Sequence, residues 1–208
     1  TQYAVLKAAN TLTDADGMGT VVYKWQRSTD GSTWTDISGA NTDSYTLTQA
    51  DVGKYVHVCA TYTDLYGTTE TVDSATGTTV ANVNDTPNGS VTVTGNMTQG
   101  TVLQAANTLS DLDGMGTVAY QWQISSNNSV WTDIATATGS SFTLTQAQTG
   151  KYVRVKASYT DGFSNVETVY NVNNSNTPVL DVMDAPVLTL TKANKTFTEA
   201  SGAAQQAN

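Results

Sequence analysis

The sequence predicts an all-β chain built from two tandem β-sandwich domains of antiparallel strands. Three observations carry that expectation. The chain repeats itself with an offset of about 97 residues, the size of one sandwich domain rather than of a solenoid unit. Only 13% of its 208 residues are charged, and Thr, Val, Ser, Gly and Asn are abundant. β-Branched residues of this kind suit a pleated surface. Short alternating apolar runs stand between turn signals, and no stretch holds a helical period long enough to compete.

The repeat fixes the elements. AANTLTDADGMGTV at 8–21 returns as AANTLSDLDGMGTV at 105–118, and roughly three in five positions agree beyond it. Residues 91–94, after Pro87, read as the first strand of a unit. Thr1 aligns with Thr98, so the first domain is expected to lack that strand. Residues 117–123 alternate up to Trp122, the counterpart of Trp25. Asp30-Gly31 and Asn127-Asn128 are hairpin signals before WTDI, which occurs at 34–37 and 131–134. A short strand at 141–145 follows. The strand at 151–160 places Val153, Val155, Ala157 and Tyr159 on one face and Arg154, Lys156 and Ser158 on the other. Residues 166–172 pair back as the last strand, and 187–191, after Pro186, read as the first strand of a following unit. The expected divisions are 1–86, 87–185 and 186–208. The links between units are short and acidic and end in Pro87 and Pro186, which restrict the preceding residue to extended backbone.

The charge pattern excludes several functions. Eighteen acids against nine bases give a net charge of −9, which opposes a nucleic-acid surface. No apolar run is long enough to span a membrane. Cys59 is the single cysteine, so no intrachain disulfide can form. His57 and Cys59 align with Arg154 and Lys156, which predicts a solvent-facing row rather than a nucleophile pair. No phosphate loop, zinc-spaced cluster or nucleophile elbow occurs, so no catalytic residue is expected.

The motifs DxDGxGT, YxWQ, WTDI, TLTxAxxGKYVxV and YTD occur in that order, twice. Together they resemble the tandem immunoglobulin-like repeats of very large bacterial surface adhesins of the RTX type, secreted by a type I route. NVNDTP at 82–87 resembles their linkers and those of cadherins, and TFTEA at 196–200 resembles the opening of a cadherin-like repeat. The resemblance spans almost the whole chain. It implies two immunoglobulin-like domains on a bacterial cell surface, outside the cell, in an arm commonly rigidified by calcium. The expected immunoglobulin cysteines are absent, so packing must hold the sandwich. The run 51–55, DVGKY, resembles a tyrosine corner.

Two groups of candidate site residues follow. Asp14 and Asp16, and again Asp111 and Asp113, set two carboxylates two apart before a glycine. Calcium takes six to eight oxygens, so alternating acids in a tight loop suit it. Asp64 and Asp161 end a strand, and Asn84, Asp85, Asp181 and Asp184 lie in the linkers. Loops cluster at one end of a sandwich, so a linker acid and a loop acid can share an ion. The competing reading makes these acids turn residues. The second group is aromatic: Trp34, Trp131, Tyr66 and Phe163 are candidate glycan contacts, against a reading in which the tryptophans pack in the core.

The leading functional expectation is a non-enzymatic extracellular adhesin module, relevant to biofilm attachment, that spaces or presents binding regions. Its partners would be neighbouring repeats, copies of itself, or a surface glycan or protein. A second reading is a subunit of a filament or surface layer, in which strand 187–191 of one copy completes the first domain of the next. A third is a carbohydrate-binding module.

Overall fold

The computed structural model describes residues 1–171 and 176–183. Asp184, the proposed strand 187–191, the tail and the end of the proposed strand 166–172 lie outside the described residues. The chain is all-β, antiparallel and divided into two tandem units.

The first unit contains β1 (Val5–Lys7), β2 (Val22–Ser28), β3 (Thr35–Asp36), β4 (Ser44–Thr46), β5 (Tyr55–Thr63) and β6 (Thr69–Asp73). The second contains β7 (Val91–Thr94), β8 (Val102–Asn107), β9 (Ala119–Ser125), β10 (Thr132–Asp133), β11 (Ser141–Thr143), β12 (Tyr152–Thr160) and β13 (Val166–Tyr170). Each unit has a four-stranded sheet, ordered β3-β2-β5-β6 in the first and β10-β9-β12-β13 in the second. The facing sheet is β11-β8-β7 in the second unit but only β1-β4 in the first. Among the described residues no strand of the first unit corresponds to β7, in line with the alignment of Thr1 with Thr98.

The missing strand changes what surrounds it. In the second unit β7 inserts Val91 and Val93 into a core with Leu103, Ala105, Trp122, Leu144, Val155 and Ala157. Trp122 is fully buried, and its indole N–H donates to the Gly139 carbonyl at 3.0 Å. Trp25 is buried in the same way and donates to the Thr42 carbonyl. Leu6 and Val56, however, stay half-buried, whereas their counterparts Leu103 and Val153 are buried. β1 is three residues long against six for β8. Beyond Lys7 the Ala8 N–H still donates to the Asp43 carbonyl at 2.7 Å, and among the described residues no strand pairs with the other edge of β1.

Each corner before the long central strand is a 3-10 turn, Gln49–Asp51 and Gln146–Gln148. The tyrosine-corner expectation is corrected here. Among the described residues no hydrogen bond from the Tyr55 hydroxyl holds the turn. The fully buried Asp51 carboxylate does, accepting from the Thr48 backbone N–H (2.9 Å) and hydroxyl, the Tyr45 hydroxyl (2.7 Å) and Arg27 (3.2 Å). Burial opposes ionisation of Asp51, but these bonds outweigh it and hold its carboxyl below the usual range. In the second unit Gln148 does the same work as a neutral amide, accepting from the Thr145 N–H and hydroxyl.

Candidate functional site

The joint between the units gathers most of the acids that the sequence singles out. It is built from three short pieces of chain: residues 2–3, the linker 81–88, and the DxDG loop of the second unit. Gln2 is buried, and its backbone N–H donates to the Ala81 carbonyl at 2.9 Å. Its side-chain oxygen accepts from the Val83 N–H, and its amide donates to Asp85 at 3.0 Å. The Tyr3 hydroxyl donates to the other Asp85 oxygen. Tyr3 has φ 66, the left-handed region that favours glycine, and its counterpart is Gly100 with φ 83. A bulky residue is strained there, so a tyrosine at this position marks a role for its side chain.

The Asp85 backbone N–H points the other way and donates to Asp113 Oδ2 at 2.7 Å. Asn84 donates its amide to Glu167 on β13 at 2.8 Å. Asn88 and Ser110 exchange two backbone bonds at 2.8 and 2.9 Å. The linker is thus bonded to the unit it leaves and to the unit it reaches.

The DxDG loops have the turn chemistry that the competing reading describes. Asp14 accepts from the Asp16 N–H and from the Tyr62 hydroxyl. Asp111 accepts from the Asp113 N–H and, at 2.5 Å, from the Tyr159 hydroxyl. The bond to Asp14 pushes the Tyr62 hydroxyl up, and burial followed by the bond to Asp111 does the same for Tyr159. The second glycine of DGMG is sterically required. A Cβ on Gly19 would lie 2.3 Å from the Thr63 carbonyl oxygen, and one on Gly116 2.4 Å from that of Thr160. Those glycine N–H groups donate to the same carbonyls, each at 3.1 Å.

Asp64 and Asp161 are also turn residues. Asp64 accepts from the backbone of Tyr66 and Thr68, and the Thr68 bond leads in holding its carboxyl low. Asp161 accepts from the backbone of Phe163 and Asn165 and from the Asn165 amide. Burial opposes its ionisation, and those bonds prevail.

Two acids of the same motif differ. Asp16 is exposed, whereas Asp113 is buried at 4% exposure. Asp113 Oδ2 takes the linker N–H, and its Oδ1 is buried without a hydrogen-bond partner. An open cleft of about 410 Å³ at the joint is lined by Asp85, Thr86, Asn88, Ser110, Asp111 and Leu112, and Asp113 is not part of its wall. Among the described residues no three acids, histidines or cysteines converge as a ready-made metal group. Asp181 is exposed at the far end of the second unit. Val182 donates there to the Gln99 side chain, as Val83 does to Gln2.

The aromatic candidates lie apart from the joint. Trp34 and Trp131 do not pack against Trp25 or Trp122. They cover the outer face of the four-stranded sheets. Trp34 lies flat on His57, with ring centroids 3.6 Å apart and planes at 6°. Trp131 covers the Arg154 guanidinium at 4.3 Å, and Tyr170 closes its other side at 4.0 Å. Tyr66 and Phe163 are exposed in the loops after β5 and β12.

The solvent-facing row predicted for His57 and Cys59 is therefore corrected. His57 is buried at 4% exposure beneath Trp34, and Cys59 is half-buried. Gln26 donates its amide to Asp36 at 2.6 Å, so its oxygen accepts from His57 Nε2 at 2.8 Å. That network assigns the proton to Nε2. Burial pushes the His57 pKa down, against an opposing pull from Asp73. It pushes the Cys59 thiol up, away from the reactive thiolate.

Sequence reasoning missed Gln2, Tyr3 and Glu167 at the joint. The available signal was the mismatch of Tyr3 with Gly100 within an otherwise close repeat. Residues 3–83 and 83–174 match a family described as a domain of unknown function (DUF8696), and the chain belongs to that family. No curated protein matches the chain.

Proposed function

We propose that the chain is a non-enzymatic extracellular repeat module of a bacterial surface adhesin, which spaces or presents binding regions through a stiffened joint. The observation that carries this reading is Asp85. Its carboxylate is bonded to Gln2 and Tyr3 of one unit and its N–H to Asp113 of the next. Domains joined by a linker usually move against each other, and bonds on both sides of the linker oppose that motion.

Calcium at the same joint completes the proposal. A buried carboxylate oxygen without a partner is unfavourable, and a hard cation satisfies it. Asp113 Oδ1 is such an oxygen, and Asp85 and Asp111 line a cleft at the same joint. Carbonyls and water would supply the remaining ligands. Small-angle scattering of the chain in calcium and in chelator tests both parts. The expected result is a narrow range of inter-domain angles in calcium that widens in chelator, with Asp113→Asn removing the response. Profiles that match with and without the ion would exclude calcium. A freely hinged profile in calcium would exclude the spacer.

A further inference from the structure

The end of the linker holds a pair of residues that can react with each other. Asn88-Gly89 is the one Asn-Gly pair of the sequence. The backbone nitrogen after an asparagine can attack its side-chain amide, and glycine, which has no Cβ, hinders that attack least. The chain also has four Asp-Gly pairs, at 16–17, 30–31, 113–114 and 161–162, which can close the same ring more slowly. In each of these the glycine nitrogen is committed to another residue. Gly17 donates to the Asp14 carbonyl, Gly114 to that of Asp111, Gly162 to that of Asp113, and Gly31 to the Ser28 hydroxyl. Among the described residues the Gly89 N–H meets only Asn88 Oδ1, at 2.7 Å. The attacked carbon is one C=O bond further on, within about 4 Å of the nitrogen.

The fold holds this pair in place without protecting it. Asn88 exchanges two backbone bonds with Ser110, and neither uses its side chain or the Gly89 nitrogen. Asn88 is exposed, so water reaches it. The glycine is required sterically. Gly89 has φ 97, and a Cβ there would lie 2.3 Å from the Thr108 carbonyl oxygen. Asn88 also lines the cleft at the joint, together with Asp85 and Asp111.

We infer that Asn88 is a self-modification site that becomes a carboxylate in this cleft. The Gly89 nitrogen bonds to Asn88 Cγ. The Cγ–Nδ2 bond breaks, and the Gly89 proton leaves with the amide nitrogen as ammonia. Water then opens the cyclic imide. Breaking the new Cγ–N bond gives aspartate. Breaking the bond from the Gly89 nitrogen to the Asn88 backbone carbonyl carbon gives isoaspartate, whose main chain runs through Cγ. Water is the one co-reactant. Either product adds a negative charge beside Asp85 and Asp111. The consequence rests on the calcium reading of the joint: the cleft gains a hard oxygen ligand as the protein ages, and ligand charge tunes calcium affinity.

Peptide mapping by mass spectrometry tests the conversion on the full folded chain, incubated at mildly alkaline pH in heavy-oxygen water. The expected result is loss of ammonia and uptake of one labelled oxygen at Asn88, ahead of the Asp-Gly pairs. The rate should be comparable with that of a free peptide of residues 85–92, and Asn88→Gln should stay unlabelled at that position. An amide that persists in the folded chain while the peptide converts overturns the inference. So does earlier labelling at an Asp-Gly pair. Calorimetry with calcium chloride on Asn88→Asp, which sets the product in place, reads the consequence. This variant should bind about tenfold more tightly than the parent chain. Equal affinities overturn the added ligand. A parent and a variant that both bind no calcium overturn the calcium reading, while the mass spectrum still decides the conversion.

Discussion

The two repeats share most of their residues, and two of the places where they differ teach opposite lessons. On the outer sheet face Trp34 covers His57, while Trp131 and Tyr170 enclose Arg154. One part of the scaffold is common to both, although Asp73 stands in the first unit where the second has Tyr170. Gln26 and Gln123 each donate to an aspartate, at 2.6 Å in both units, and accept from the residue under the tryptophan. One frame thus holds a neutral ring or a cation, because the tryptophan offers a flat face to either. At the missing strand the frame is not neutral: without β7, apolar side chains that are buried in the second unit stay half-open in the first.

The sharpest way to break this comparison is to empty both cores. Trp122→Ala should cost about 3–5 kcal/mol and Trp25→Ala less, because the first core is already partly open. Calorimetry resolving two transitions would show the larger fall in the second unit. Equal falls would mean that β7 adds little to the second core.

A smaller effect is expected from giving the second unit the first unit's loop residue. Gly162 stands where the first unit has Leu65, and its N–H donates to the Asp113 carbonyl at 3.0 Å. A Cβ there would lie 2.5 Å from that oxygen. Gly162→Leu should push the Asp113 loop outward and release Asp85, a loss of about 1–3 kcal/mol if the buried groups go unpaired. Amide exchange at Asp85 would report it as lost protection.

His57 makes the units respond differently to acid. Its folded pKa is lowered, so below the unfolded value of about 6.5 the unfolded chain binds a proton that the folded chain does not. Its contribution is complete above about pH 6.5 and falls as the pH drops through the lowered value. Thermal melts between pH 7 and 5 should show the first transition falling more steeply, and His57→Gln should remove that difference.

Tyr3→Gly should have the smallest effect on stability. It relieves left-handed strain of about 1 kcal/mol while losing the hydroxyl bond to Asp85. The melting temperature should barely move, while the inter-domain angle in scattering should spread. No spread would assign the joint to Gln2 alone.

The strands and the unequal halves were legible because alternation and repeat offset are properties of the chain itself. Trp34 was not. Its burial depends on the residue directly across the sheet, and neither His57 nor Arg154 announces that a ring will lie on it. The acids were legible as residues, but their bonding was not. Spacing brought Asp14, Asp16, Asp64, Asp111 and Asp161 to notice, yet tyrosine hydroxyls 48 residues away or neighbouring amides occupy the oxygens of four of them. Among the described acids Asp113 alone keeps a buried oxygen unspent, and nothing in DxDG separates it from Asp16.

Asp85 has a geometric consequence. Its carboxylate is fixed by the unit behind and its amide by the unit ahead, so one short, planar piece of backbone sets the turn between them. Gln99 already grips Val182 as Gln2 grips Val83. Wherever the same joint recurs along a polypeptide, each step repeats one rotation and one translation. Such a succession traces a screw, with a pitch decided by a single aspartate and the two groups that hold it.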